Sequence, residues 1–209
     1  KLQSRNLNPI FRLLEKEFSP RKKIEIIESY DISHHSGSGA VAGCVVFSGS
    51  GKEKDKYRLF NITQKNAGND VASMAETLKR RFTNKKLDLS TPDLIIIDGG
   101  KTHLSAAVRT LKEINKEHIG VISISKGARR KSEMDTIHQK DGSSKAVSNS
   151  SMAHKFIQEI RDETHRFAIS SQRNKQVNLS NSSSLDGLIG VGLKRKKLLI
   201  RYFGSIEQI

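Results

Sequence analysis

The chain has 209 residues, with 37 Lys and Arg against 22 Asp and Glu, a net charge of +15 and a pI near 10.0. That balance argues against a binder of neutral metabolites and points to a polyanionic partner. Its length allows one well-buried domain plus a small appendage, at roughly 100 to 200 residues per domain. No apolar stretch approaches the ~20 residues needed to span a bilayer, and no signal-peptide pattern opens the chain. A single cysteine, Cys44, lies in the apolar run 40–47. It excludes a disulfide framework and reads as a buried, reduced thiol in a soluble cytoplasmic protein. The first residue is Lys and the last, Ile209, closely follows a helical pattern, so the chain is expected to be a piece of a longer protein.

In chain order, Asn8-Pro9 with Ile10, Phe11, Leu13, Leu14 and Phe18 predicts an amphipathic helix with proline in its first turn, ended by Ser19-Pro20. Three strand-like runs follow, 24–30, 40–47 and 57–62, separated by Gly/Ser turns, which implies an antiparallel meander. Asp70, Val71, Met74, Leu78 and Phe82 recur at helical spacing. The short, β-branched run 94–97 predicts a strand buried on both faces at the centre of the sheet. A helix through Leu104, Ala107, Val108 and Leu111 and a strand at 121–124 complete a mixed α/β pattern. The polar, Ser-rich stretch 139–151 reads as a loop or disordered insertion. A helix resumes near Met152 and carries Phe156, Ile157, Ile160, Phe167 and Ile169. Residues 170–184, rich in Ser, Asn and Gln, read as a flexible linker.

Two aspartates close predicted strands, Asp31 after 24–30 and Asp98 after 94–97. A carboxylate at the end of a buried strand must be paired or bound to a cation. If the two strands are neighbours, both carboxylates emerge at the same edge, where open α/β sheets hold their ligands. Asp70 has two readings, a helix cap in Gly68-Asn69-Asp70 or a third carboxylate at that edge, and the residues by themselves favour the cap. Grouped carboxylates suit Mg²⁺ or Mn²⁺, which in pairs ~3.5 to 4 Å apart can activate water and stabilise the leaving oxygen of a phosphodiester. His165 read alone is an ordinary helical histidine. His34, His35 and His103 flank the strong aspartates at irregular spacing, a weak zinc signal, and suit an outer shell or a substrate contact.

Tyr30-Asp31-Ile32-Ser33-His34, Ile97-Asp98-Gly99-Gly100-Lys101 and Arg161-Asp162-Glu163-Thr164-His165-Arg166-Phe167-Ala168-Ile169, in this order with Gly68-Asn69-Asp70 between the first two, resemble the C-terminal half of the UvrC family, the nuclease subunits of bacterial nucleotide excision repair. The resemblance implies an α/β fold, an RNase H-like mixed sheet flanked by helices, followed by a small helix-hairpin-helix segment that binds DNA. It places the family's catalytic and metal-binding residues on Asp31, Asp70, Asp98 and His165. It implies incision on the 5′ side of a lesion in double-stranded DNA, with UvrB as partner and UvrA acting indirectly. The histidine stands where many RNase H-like enzymes carry a fourth carboxylate, which leaves a second tightly held metal less secure.

On this reading residues 1–23 form a helical lead-in, 24–171 the endonuclease domain, 172–184 a linker and 185–209 a helix-hairpin-helix segment that is incomplete. Gly190 and Gly192, followed by Lys194 and Arg195, form a glycine hairpin opening a basic helix, which would bring backbone N–H groups to phosphates. Gly99-Gly100-Lys101 lacks the full phosphate-loop pattern of an ATPase; its glycines give room beside Asp98, and Lys101 is a DNA contact. Lys126, opening the basic run 126–131, is expected either to grip phosphates or to sit in a solvated loop. Arg161 and Arg166 complete the expected DNA contacts. The competing function is a non-catalytic DNA-binding or scaffold module of the same fold.

Overall fold

The computed structural model describes residues 6–18, 23–35, 39–87, 89–127, 135–148 and 150–185 and positions 192, 195, 198 and 202; for 34, 35, 39, 85 and 171–185 it describes the backbone alone. In chain order the elements are α1 (Asn8–Phe18), β1 (Ile26–His35), β2 (Gly39–Ser48), β3 (Gly51–Lys52), β4 (Arg58–Asn61), α2 (Asp70–Thr83), β5 (Leu94–Asp98), α3 (Lys101–Glu113), β6 (Gly120–Ser125), β7 (Thr136–Gln139), β8 (Ser144–Ala146) and α4 (Met152–Leu185). By compactness the chain divides into Lys1–Ala168 and Ile169–Ile209.

The eight strands form one mixed sheet in the order β3-β2-β1-β5-β6-β7-β8, with β4 also paired to β2. β1, β2 and β4 make the antiparallel meander, while β1, β5 and β6 run parallel. Parallel neighbours need crossovers, and the helices α2 and α3 supply them. Alternation along the strands divides the core. Ile27, Leu94, Ile96, Ile122 and Ile124 face α1 and α4 through Phe11, Leu14, Phe156 and Ile160. Tyr30, Ile95, Ile97 and Val121 face α2 and α3 through Met74, Leu78, Leu104 and Leu111. Leu94, Ile95, Ile96 and Ile97 are all fully buried, the two-sided burial that a continuous apolar run requires. α1 thus belongs to the core of the first unit. Cys44 is buried and free.

Two expectations change. The stretch taken as a loop from 139 holds a hairpin: β7 and β8 pair antiparallel across a turn containing Gly142 at φ +87°. Its signal was Asp141-Gly142, a favoured hairpin dipeptide. The apolar alternation was missing because all three residues of β8 are exposed and because a histidine fills a buried position in β7. In that residue, His138, burial and the charge of Lys101 lower the pKa, and Ser125 Oγ and Ser144 Oγ engage its two ring nitrogens at 2.9 and 2.8 Å. The expected linker 172–184 is also helical, because α4 runs on to Leu185. No Gly or Pro interrupts residues 152–185, and Ser or Asn cost a helix only tenths of a kcal/mol, up to ~0.7 each. Of the segment expected as helix-hairpin-helix, four positions alone are described: Gly192, Arg195, Leu198 and Tyr202 are exposed, the last three with helical backbone. Gly190 and Lys194 lie outside the described residues.

Candidate active site

β1 and β5 are parallel neighbours with Tyr30 opposite Ile97. The next residue of each strand is an aspartate, so Asp31 and Asp98 stand side by side at the carboxyl ends of the central pair. Both share the alternation of Ile27, Leu94 and Ile96 and therefore face α4. His165 comes down on them from that helix, its Nδ1 2.9 Å from Asp31 Oδ2. The close approach has a local cause in β2. Asp31 pairs across the sheet with Gly43, and a Cβ at Gly43 would lie 3.0 Å from the Cβ of Ala168. The missing side chain lets α4 settle against the sheet one turn beyond His165.

Asp31, Asp98 and His165 each offer one ligand atom, and these atoms lie within 4.8 Å of one another. Asp31 is 6% exposed, and His165 is 44% exposed at its side chain and open to a substrate. Burial raises the pKa of Asp31, offset by the hydrogen bond and charge of His165 and by Lys126. Burial, aided by the charge of Asp31, pushes Asp98 up to about 6. Among the described residues neither carboxylate is in a salt bridge with Lys or Arg. A buried carboxylate, a half-buried one that it pushes up, and an imidazole converge as a donor set that fits a divalent cation.

Asp70 is the first residue of α2, but the cap is its neighbour: Asn69 Oδ1 accepts from Ala72 N at 3.0 Å. Asp70 therefore does not serve as the N-cap. It stands in the other helical layer, outside the three-residue cluster, yet its charge raises the pKa of Asp31. His103 Nε2 is 4.0 Å from Asp70 Oδ2. The same ring fills the room expected beside Gly99, where a Cβ would come within 2.6 Å of it at φ +153°. A Cβ at Gly100 would meet nothing within 4 Å. His34 and His35 lie on β1 just past Asp31, and their side chains are outside the described set.

The expected DNA contacts divide. Lys101 opens α3 just past Asp98, and Lys126 follows β6; both are exposed. Lys126 is close enough to lower the pKa of both aspartates. Arg166 is largely exposed while bonding Glu163 at 2.7 Å. Arg161 departs from expectation. It is 6% exposed, bonded to Asp135 and, at 2.7 Å, to Asp162. A buried, doubly paired guanidinium holds α4 in place and does not present itself to a phosphate. Asp135, which no sequence pattern singles out, also accepts from Gly127 N at 3.1 Å and Gln158 Nε2 at 2.9 Å. It thereby anchors the loop that carries Lys126.

A mixed sheet with helices on both faces and a carboxylate–histidine cluster at the carboxyl edge of its central parallel pair defines an RNase H-like domain. The chain belongs to the family of the UvrC RNase H endonuclease domain, whose model matches residues 15–169. It is 41% identical over 184 residues to the UvrABC system protein C of Saccharophagus degradans, covering 88% of this chain and 30% of that protein. The corresponding figures for the Proteus mirabilis protein are 37% over 211 residues, 99% and 34%. The chain thus spans about a third of the length of these curated relatives. A crystal structure of human endonuclease V is a remote likeness, with TM-score 0.41 and 11% identity over 71% of this chain and 86% of that one.

Proposed function

We propose that this chain is the endonuclease portion of a UvrC nucleotide excision repair protein, hydrolysing a DNA phosphodiester on the 5′ side of a lesion with Mg²⁺ or Mn²⁺. The observation that carries the proposal is the convergence of Asp31, Asp98 and His165 within 4.8 Å, with no Lys or Arg salt-bridged to either carboxylate among the described residues. Asp31 and Asp98 would hold the cation, His165 would orient the reacting groups, and Asp70 would complete the site from the other helical layer. The cation would supply Lewis-acid stabilisation of the negative charge that develops on the phosphoryl oxygens.

The chain's own groups account for the rest. An ionised Asp31 accepts a hydrogen bond from Nδ1–H of His165, which leaves Nε2 as the lone-pair nitrogen. Nε2 can then take the proton of an attacking water. As the water oxygen bonds to phosphorus, the bond from phosphorus to the 3′ oxygen breaks and that oxygen takes a proton from solvent, giving a 3′-hydroxyl and a 5′-phosphate, while the imidazolium releases its proton to solvent. Lys126 and Lys101, at the same edge, would hold the phosphates of the substrate strand. Damaged double-stranded DNA, delivered by UvrB after UvrA in the cytoplasm, is the substrate on this reading. Gly192 and Arg195, with Gly190 and Lys194, would add contacts to the duplex.

Either Asp31→Asn or Asp98→Asn should lower Mn²⁺-dependent nicking of a bubble duplex by at least about a hundredfold, with DNA affinity nearly unchanged. Cutting retained in both variants would overturn the assignment and favour a DNA-binding scaffold.

A further inference from the structure

The carboxylate site accounts for Lys101 and Lys126 but leaves much of the positive charge of the described surface unexplained. One concentration of it has a definite shape. α3 turns one face toward the β7–β8 hairpin, and between them lies a groove of about 370 Å³. Its floor is apolar, made by Leu104 and Val108, and its rim carries Lys101, Arg109, Lys112 and Lys140. Positions 101, 105, 108, 109 and 112 follow helical spacing, so the cations line one stripe of α3 about 16 Å long, the length of a few nucleotides.

Among the described residues that line the groove, none is acidic. The one acidic residue of α3, Glu113, is bonded to Lys79 of α2 at 2.7 Å. Across the groove the hairpin is fixed to β6 by His138, whose ring bridges Ser125 and Ser144. Lys140 is steadied by the carbonyl of Glu117 at 3.3 Å. A cationic rim over an apolar floor is complementary to a nucleic-acid strand, with phosphates at the rim and sugars or bases against the floor. The groove begins at Lys101, three residues after Asp98 in the chain, so its near end lies at the carboxyl edge of the sheet that carries the aspartates.

We propose that the groove between α3 and the β7–β8 hairpin is a DNA-strand-binding channel, in which Arg109, Lys112 and Lys140 hold the phosphates of the substrate strand beyond the cleavage point. This rests on the nuclease reading of the Asp31 site, and the two are separable by experiment. In the full chain, Arg109, Lys112 and Lys140 are changed together to Ala, with Lys23, Lys54 and Lys86, all exposed and outside the groove, changed together as the control. Binding of a fluorescent bubble duplex is followed against salt, and nicking of the same duplex in Mn²⁺ is split into kcat and KM.

The groove variant should show a salt slope shallower by about 2 to 3, a KM raised several-fold and kcat nearly unchanged, while the control triple should stay close to the parent. Equal losses in both triples would reduce the groove to part of a diffuse field and overturn the proposal. So would an unchanged slope and KM, or selective loss of poly-glutamate binding with DNA binding intact, which would mark a protein partner instead. If the parent chain binds the duplex but never nicks it, the catalytic reading fails, and the difference in salt slope still decides the groove.

Discussion

β1 carries two buried carboxylates three residues apart, and they are treated in opposite ways. Glu28, 1% exposed, receives Arg81 from α2 at 2.6 and 3.0 Å and the hydroxyl of Tyr30 at 2.5 Å. Arg81 is also bonded to the carbonyl of Ser90 at 2.7 Å. Among the described residues Asp31 receives only an imidazole, and its strand neighbour is another carboxylate. Where the chain needs cohesion between sheet and helix, it supplies a guanidinium matched donor to acceptor. At the strand end, among the described residues, it sets two carboxylates side by side with no Lys or Arg bonded to either, an arrangement unfavourable for folding by itself and suited to binding a cation. The same contrast recurs on α4. Burial works against ionisation of Glu163, yet Arg166 and Lys52 outweigh it and lower its pKa to about 2.

This contrast can be broken from either side. The largest expected effect on stability is at the cohesive end. Arg81→Met strands Glu28 without its main partner and should cost about 3 to 5 kcal/mol in urea unfolding, whereas the double change with Glu28→Leu should recover much of that loss. A double variant as unstable as the single one would mean that the pair stabilises the fold beyond mutual neutralisation.

Next comes the uncompensated end, where removing a charge should help the fold. The folded pKa of Asp98, about 6, is above the ordinary aspartate value of 3.8. Between these values the native state binds more protons than the unfolded one, so metal-free stability falls as pH rises from about 4 to 6 and then levels off. Asp98→Asn should therefore stabilise the metal-free protein by on the order of 2 to 3 kcal/mol at pH 7, and by almost nothing below about pH 4. Thermal unfolding in chelator across that range checks it; a gain independent of pH would remove charge repulsion as the cause.

The smallest effect separates two adjacent residues. Asn69→Ala should cost about 1 kcal/mol of stability through loss of the cap while leaving nicking intact. Asp70→Ala should do the reverse. Parallel losses in both would tie Asp70 to the helix and not to the site.

Much of this organisation could be read from residues in order. The run Leu94 to Ile97 announced a central strand because only a two-sided interior accommodates it, and an aspartate directly after it had no structural reason to be there. The tight fit of α4 on β2 was hidden, because Gly43 looks like any strand glycine until Ala168 is seen above it. The burial of Arg161 is hidden for a related reason: a basic residue in a basic chain gives no sign that Asp135, far back in the sequence, has claimed it. The cations of the α3 groove were equally silent, since Arg109 and Lys112 look like the solvated face of any amphipathic helix until a hairpin stands opposite.

The hydrogen bond between His165 and Asp31 joins residues 134 positions apart. Closing so long a loop comes with little local reward, and contacts of this kind slow folding relative to local ones. No segment shorter than residues 31–165 contains the cluster, so a chain emerging from the ribosome cannot assemble it until nearly the whole domain has been synthesised and α4 has docked. On the nuclease reading proposed above, incomplete chains would therefore be unable to cut.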